Sequence, residues 1–231
     1  VATMIYLLFN EGYTAGSDPA RASLCDEAIR LARLLLRLFQ TEPEIMGLTA
    51  LMLLQQSRLP ARFDQYGEVV LLEDQDRALW NANLINEGVA LLDKAMRHNR
   101  PGAYQVQAAI AATHARAAQF SETDWAGIDA LYAALERMQP SPVVTLNRAV
   151  AVAKLHGPSA GLSMIAPLEK ALSGYFHYFG ARGAFLLQLG RIEEARTDFD
   201  RAIALAGTPA QAAHIRNHLD RLLQDAKPNA K

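Results

Sequence analysis

Helical periodicity, broken at short intervals by proline and glycine, is the feature that most narrows what this chain can fold into. Asp26–Phe39 sets Ile29, Ala32, Leu36 and Phe39 on one side and Arg30, Arg33 and Arg37 on another, the pattern of an amphipathic helix. Thr41-Glu42-Pro43 ends it, and a second apolar helix is expected over Glu44–Ser57. Pro43 suits the opening of that helix, because its missing amide proton would have had no intrahelical partner there. The alternation continues with helices expected over Leu84–His98, Ala103–Ala118, Asp124–Met138, Val143–His156, Ser159–Ala171, Phe176–Leu189, Ile192–Ala206 and Ala210–Leu223. Breaks such as Arg100-Pro101-Gly102, Gln139-Pro140-Ser141-Pro142 and Gly157-Pro158 separate them. Connections this short make sequential helices antiparallel neighbours.

A repeat lies beneath the alternation. Around Gly190, the second helix carries Ala195, Phe199 and Ala202 at tetratricopeptide spacing: the alanines permit close helix approach and Phe199 fills the space between them. Similar registers centre on Ala28, Gly88, Ile128 and Gly161, and the last three lead to Ala195 at intervals of 40, 33 and 34 residues. The expected fold is therefore all-α, a tetratricopeptide-like solenoid of helical hairpins coiled as a right-handed superhelix, in a single domain over residues 1–231. An irregular helical bundle is the plainer alternative. Within the domain, residues 1–58 supply N-terminal helices, 59–77 an irregular connection and 78–231 the helical repeats. In the connection, Asp64 to Gly67 suits a turn and Val69-Val70-Leu71-Leu72 a short extended segment covering a helix end.

Charge and cysteine use exclude several function classes. Val1 to Arg100 carries 10 basic and 13 acidic residues and the remainder 13 and 11, so neither part has the basic footprint of a general nucleic-acid binder. One cysteine, Cys25, precludes an intrachain disulfide, and Asp26 and Glu27 beside it favour a buried, inert thiol over a reactive one. Met4–Phe9 is apolar but much shorter than the roughly 20 residues that span a bilayer, so a cytoplasmic location is expected. A start at Val1, within an apparent helix, suggests a fragment of a longer protein.

No residue constellation points to catalysis. Gly12-Tyr13-Thr14-Ala15-Gly16 lacks the Lys-Ser/Thr ending and preceding strand of a phosphate loop and suits a turn. His214 and His218 have the i, i+4 spacing of a metal pair without an identifiable third ligand, and suit a helix surface. No catalytic residue, cofactor or metal is expected, and the chain is expected not to be an enzyme. Polar groups beside strongly apolar helix segments, namely Asn10, Glu11, Asp124, Asn147 and Arg148, are candidates for a buried hydrogen-bonded network. Val143–Ala153 is apolar nearly all round and should be sandwiched between neighbours. Trp80 and Trp125 suit core anchors. A candidate protein-interaction surface comprises Tyr104, Gln107 and His114 on one side of a helix, with Glu73, Asp74, Asp76, Arg77 and Trp80 from the segment entering a neighbouring one. Capping by the carboxylates and burial of Trp80 are the alternative roles there.

Longer strings add a resemblance. Tyr6-Leu7-Leu8-Phe9-Asn10-Glu11-Gly12-Tyr13, Leu24-Cys25-Asp26-Glu27-Ala28-Ile29-Arg30-Leu31, Leu51-Met52-Leu53-Leu54 and Glu73-Asp74-Gln75-Asp76-Arg77 resemble the long C-terminal extension of a group of bacterial extracytoplasmic-function sigma factors. So do Tyr104–Ala112, Thr123-Asp124-Trp125 and Ser141–Ala151, and the resemblance runs in order over essentially the whole chain. It implies a parent protein with two helical promoter-recognition regions upstream, absent from this sequence, that direct RNA polymerase to promoters. The partners it implies are RNA polymerase, the promoter-binding regions of the parent, or a peptide or protein ligand, with promoter DNA reached only through the absent regions and no membrane. A free-standing tetratricopeptide adaptor that captures peptides is the alternative, and a small-molecule sensor a further one.

Overall fold

The breaks in the sequence become helix caps. In the computed structural model, Pro43, Pro142 and Pro158 each stand in the first turn of a helix, and Asn81, Asp124 and Ser141 each accept a hydrogen bond from an amide of the helix they precede. The structure describes residues 1–14 and 19–207, together with 212, 215, 216 and 219. Within these it is all-helical, with eleven α-helices and three short 3-10 turns, and no β-strand beyond one isolated bridge between Phe63 and Val69. The helices are α1 (Ala2–Thr14), α2 (Pro19–Leu38), α3 (Pro43–Gln56), α4 (Leu59–Arg62), α5 (Ala82–Met96), α6 (Ala103–Arg116), α7 (Trp125–Met138), α8 (Pro142–His156), α9 (Pro158–Ile165), α10 (Phe176–Gln188) and α11 (Ile192–Leu205). The expected boundaries hold to within a few residues, except that α2 starts at Pro19, well before Asp26, and that the helix expected over Ser159–Ala171 ends at Ile165 and passes into a 3-10 turn over Ala166–Leu168. Most of the helix expected over Ala210–Leu223, with His214 and His218, lies outside the described residues, as do Ala15 and Gly16; Gly12, Tyr13 and Thr14, expected in a turn, instead form the last turn of α1.

Where the sequence reading treats the chain as one domain, the structure divides into two compact units, Val1–Gln139 and Pro140–Lys231. The first is organised around α3, which packs on α1, α2, α5 and α6. Met46 to Leu54 is buried without interruption, as a helix that is apolar on every side requires. Two apolar clusters adjoin it: Phe9, Cys25, Ala28 and Leu48 belong to one, and Leu51, Leu54, Leu92 and Ala108 to the other. Close approach of α3 to α6 depends on Gly47, where a Cβ would come within 2.7 Å of the Gln105 backbone nitrogen. The same junction explains the Arg100-Pro101-Gly102 break. Gly102 has no side chain to cap α6, and Glu44 of α3 does so instead, its carboxylate accepting from the amides of Tyr104 (3.1 Å) and Gln105 (3.2 Å). A Cβ on Gly102 would strike that carboxylate.

The irregular connection is built as the composition suggests. Asp64 accepts from the amides of Tyr66 and Glu68, both at 2.9 Å, and Gly67 takes a positive φ of 79°. Val70 then donates to the Arg62 carbonyl at 2.8 Å and holds the extended stretch against α4.

In the second unit α8 packs on α9 and α10 on α11. Its core joins Leu146, Ile165, Tyr178, Phe179, Phe185 and Phe199. Ala195, Phe199 and Ala202 are all completely buried, and the Phe199 ring lies 3.0 Å from where Gly183 would carry a Cβ. The sandwiching expected of Val143–Ala153 is corrected: Leu146, Ala149 and Ala151 are buried, but Asn147 and Val150 are exposed. Alanine and valine are small enough to be tolerated at the rim, so apolar composition overstated the burial of α8.

Candidate functional site

The residues singled out for interaction separate along α6. Tyr104, in its first turn, meets the Tyr6 ring edge-on at 5.5 Å and packs into the core of the first unit. Burial raises the pKa of the Tyr6 phenol above its ordinary value, against side-chain hydrogen bonds with Gln55 and Asn10 that lower it. Gln107 is half-buried at mid-helix. His114 lies ten residues beyond Tyr104, about 15 Å along the axis at 1.5 Å per residue, edge-on to Trp125 at 5.5 Å. The three are thus half-buried points along one packed helix, and the first and last take part in separate aromatic contacts.

Arg77 and Trp80 do come together with His114. The Arg77 guanidinium donates to the backbone carbonyls of His114 and, at 2.7 Å, Ala117, which lack intrahelical partners at the end of α6. It also reaches the Thr123 hydroxyl at 3.5 Å and stands 4.9 Å from the Trp80 ring centre, with Arg58 at 5.5 Å. Trp80 is buried. Burial, then the charges of Arg58 and Arg77, push the His114 imidazole down to about 4, so it is neutral at ordinary pH. Two buried atoms here, Trp80 Nε1 and His114 Nδ1, have no hydrogen-bond partner among the described residues. Glu73, Asp74 and Asp76 are exposed; Asp76 accepts from the Ala78 amide at 2.9 Å. This part of the expected surface is therefore an internal clamp with a solvated acidic rim.

The expected buried network is corrected at Glu11, Asp124 and Asn147. Glu11, Asp124 and Asn147 are exposed and Asn10 and Arg148 half-buried. Asp124 is spent on the first turn of α7, accepting from the Gly127 amide at 2.8 Å, and Thr14 donates its hydroxyl to the Asn10 carbonyl at 2.7 Å. A polar residue beside an apolar run can turn outward or cap a helix end, as Glu11, Asn147 and Asp124 do, while the Asn10 side chain hydrogen-bonds the Tyr6 phenol.

Three features escaped the sequence. In the second unit Asp198, with a side chain 4% exposed, accepts from Arg182 Nε (2.6 Å) and Nη2 (2.5 Å) across the α10–α11 hairpin. Arg182 also donates to the Tyr178 hydroxyl at 3.3 Å and meets the outlying Glu169 at 3.3 Å. Second, Arg62 donates to the Tyr13 carbonyl at 2.6 Å and stacks 3.6 Å from the Tyr13 ring centre, tying α4 to α1. Third, a groove of about 700 Å³ runs between α2 and the start of α5, over the end of α3. Arg30, Arg33 and Arg37 form one wall, and Ile29, Leu36 and Leu84 are among its apolar lining. The arginine stripe was legible in the sequence, but the opposite wall lies about 50 residues further on and carries no motif of its own.

Cys25 is buried, its thiol donating to the Phe9 carbonyl at 3.5 Å, and burial with the nearby Asp26 pushes it up to about 11. Among the described residues no three His, Cys, Asp or Glu side chains are placed to hold a metal ion, and no helix is long and apolar enough to cross a membrane.

Residues 1–96 match a family of unknown function (DUF6596). The chain is similar to an uncharacterized protein of Rhizobium meliloti (strain 1021), with 67% identity over 224 residues that cover 96% of this chain and 53% of that protein. No solved structure matches. The chain thus spans about half the length of the curated relative it matches.

Proposed function

We propose that this chain is the tetratricopeptide-like interaction domain of an extracytoplasmic-function sigma factor, working in the cytoplasm by contact rather than by catalysis. The observation that carries the repeat reading is the placement of the five register centres. Ala28, Gly88, Ile128, Gly161 and Ala195 are all buried. Each lies in the later helix of a packed pair: α1 with α2, α3 with α5, α6 with α7, α8 with α9, and α10 with α11. Four of the five are small, as close helix approach requires, and the intervals from Gly88 onward, 40, 33 and 34 residues, lie near the tetratricopeptide period. On this reading the hairpins within each unit wind in the right-handed sense of such arrays.

The sigma-factor reading rests on the strings named above, supported by a relative about twice as long as this chain, which leaves length for promoter-recognition regions. Those strings occupy demanding positions: Tyr6 and Tyr104 meet in the core, Cys25 bonds Phe9, and Asp124 and Ser141 cap helices. They are therefore framework, and the contacts that regulate transcription fall to the surface they support.

Affinity purification of the complete parent protein is expected to recover the core subunits of RNA polymerase. The isolated chain, with a formal net charge of −1 and no basic excess of the size a nucleic-acid binder needs, is expected to leave promoter DNA unshifted in a mobility assay. Salt-resistant, sequence-selective DNA binding by the chain alone, or a complete parent that never recovers polymerase, contradicts the proposal.

A further inference from the structure

The groove between α2 and α5 has a wall, a lining and a latch. Arg30, Arg33 and Arg37 line α2 at i, i+3 and i+7, so the outer two are about 10 Å apart along the axis. The lining beside them is aliphatic, with Ile29, Leu36 and Leu84 contributing. Arg33 crosses to α5, where its Nε and Nη2 donate to Glu87 at 3.0 and 2.6 Å. Arg30 is paired with Glu27 on its own helix, and Arg37 has no carboxylate partner among the described residues. Asp26, the one carboxylate in the lining, accepts from the Gln56 amide at 3.4 Å.

We propose that this groove docks an acidic amphipathic helix of a partner protein, whose carboxylates replace Glu87 and Glu27 on the arginine wall while its apolar face covers the aliphatic lining. The inference rests on the interaction-domain reading above and specifies the partner chemistry. Charge complementarity selects the occupant. Carboxylates at i, i+4 and i+7 of a docked helix repeat at the spacing of the arginines, and guanidinium binds carboxylate in two-bonded pairs. The existing pairs are solvent-exposed, with side chains 40% exposed or more, and such pairs are weak enough to exchange. Nucleic acid is the poorer fit, since the lining holds no aromatic side chain on which a base could stack. Within this geometry Glu87 is a competitor for the partner, an internal carboxylate that holds Arg33 until a better one arrives.

The competitor role gives the test opposite signs on the two sides of one ion pair. A displayed library of random peptides about 16 residues long, roughly 24 Å as a helix, is selected on the 231-residue chain, and the recovered peptides are synthesised and titrated. Acidic peptides with leucine or isoleucine on the adjoining face are expected. Arg37→Gln and Arg33→Gln should each weaken their binding about three- to ten-fold, as expected for charge-assisted bonds at a partly solvated rim, and Glu87→Gln should strengthen it about three-fold. Because Arg37 is exposed and has no ion pair to lose, its substitution separates binding from folding, and circular dichroism confirms that each variant is folded. Selection of neutral or basic peptides, equal binding by Arg37→Gln, weakening by Glu87→Gln, or preferential binding of oligothymidylate overturns the proposal. So does failure to recover any peptide that binds below about 100 μM, the affinity range of transient contacts. If acidic peptides obey these rules while the complete parent fails to recover polymerase, the groove stands and the sigma-factor reading falls; the reverse result separates them the other way.

Discussion

Replacing Asp198 by alanine is expected to destabilise the second unit by about 3–5 kcal/mol, the cost of stranding one member of a buried ion pair. Asp198 is buried beneath Arg182, whose side chain is itself only 21% exposed and directs two guanidinium nitrogens at the carboxylate. Glu169 cannot substitute for it, being 62% exposed and on the solvent side. Truncation therefore leaves a mostly buried cation and removes the group that orients Arg182 toward the Tyr178 hydroxyl. A paired replacement, Arg182→Met with Asp198→Leu, should recover most of the loss, because both charges leave the interior together. Glu169→Gln should cost no more than about 1 kcal/mol. Urea denaturation of the three variants checks the order, and an Asp198→Ala midpoint close to that of the parent chain would show that the pair contributes little.

The first unit should weaken as pH falls from about 7 to 5, and much of that slope should belong to His114. Its imidazole is held down to about 4, whereas in the unfolded chain it returns to about 6.5. Between those values the unfolded chain binds a proton that the folded chain refuses, so stability is lost as pH falls through the window. The full effect is about 3 kcal/mol, and about 2 kcal/mol of it falls between pH 7 and pH 5. Protonation there would place a third positive charge beside Arg58 and Arg77 in a buried setting. His114→Gln removes the titrating group and should flatten the dependence. An unchanged difference in denaturation midpoint between pH 7 and pH 5 in that variant would assign the slope elsewhere.

These two networks also mark the limit of what was legible in the sequence. Helix order, the breaks and the first-turn role of Pro43 were read locally, since each depends on residues within one turn of each other, whereas the caps at Asn81, Asp124 and Ser141 were not identified. Burial of Ala28, Gly88, Gly161 and Ala195 agrees with their small size, which is visible in the sequence. Pairings between distant positions could not. Glu44 caps a helix 60 residues away, and its carboxylate is the reason Gly102 has no side chain. Arg77 stood among the candidate interaction residues and proved to close the end of α6, because its destination, the carbonyls of His114 and Ala117, leaves no mark in its own neighbourhood. Asp198 reads as an ordinary polar position in an amphipathic helix until Arg182 is placed opposite. The groove was half visible: the arginine stripe stood out, while Leu84 and Glu87 carry no local signal.

The most direct measurement of the central claim is promoter-dependent run-off transcription with the complete parent protein and purified core RNA polymerase. The account predicts a defined transcript that depends on the parent and whose yield changes when the region equivalent to this chain is removed, while the chain added alone initiates nothing. A complete parent that yields no promoter-selective transcript across the upstream regions of its own genome, or whose transcript is indifferent to removal of this region, would contradict it.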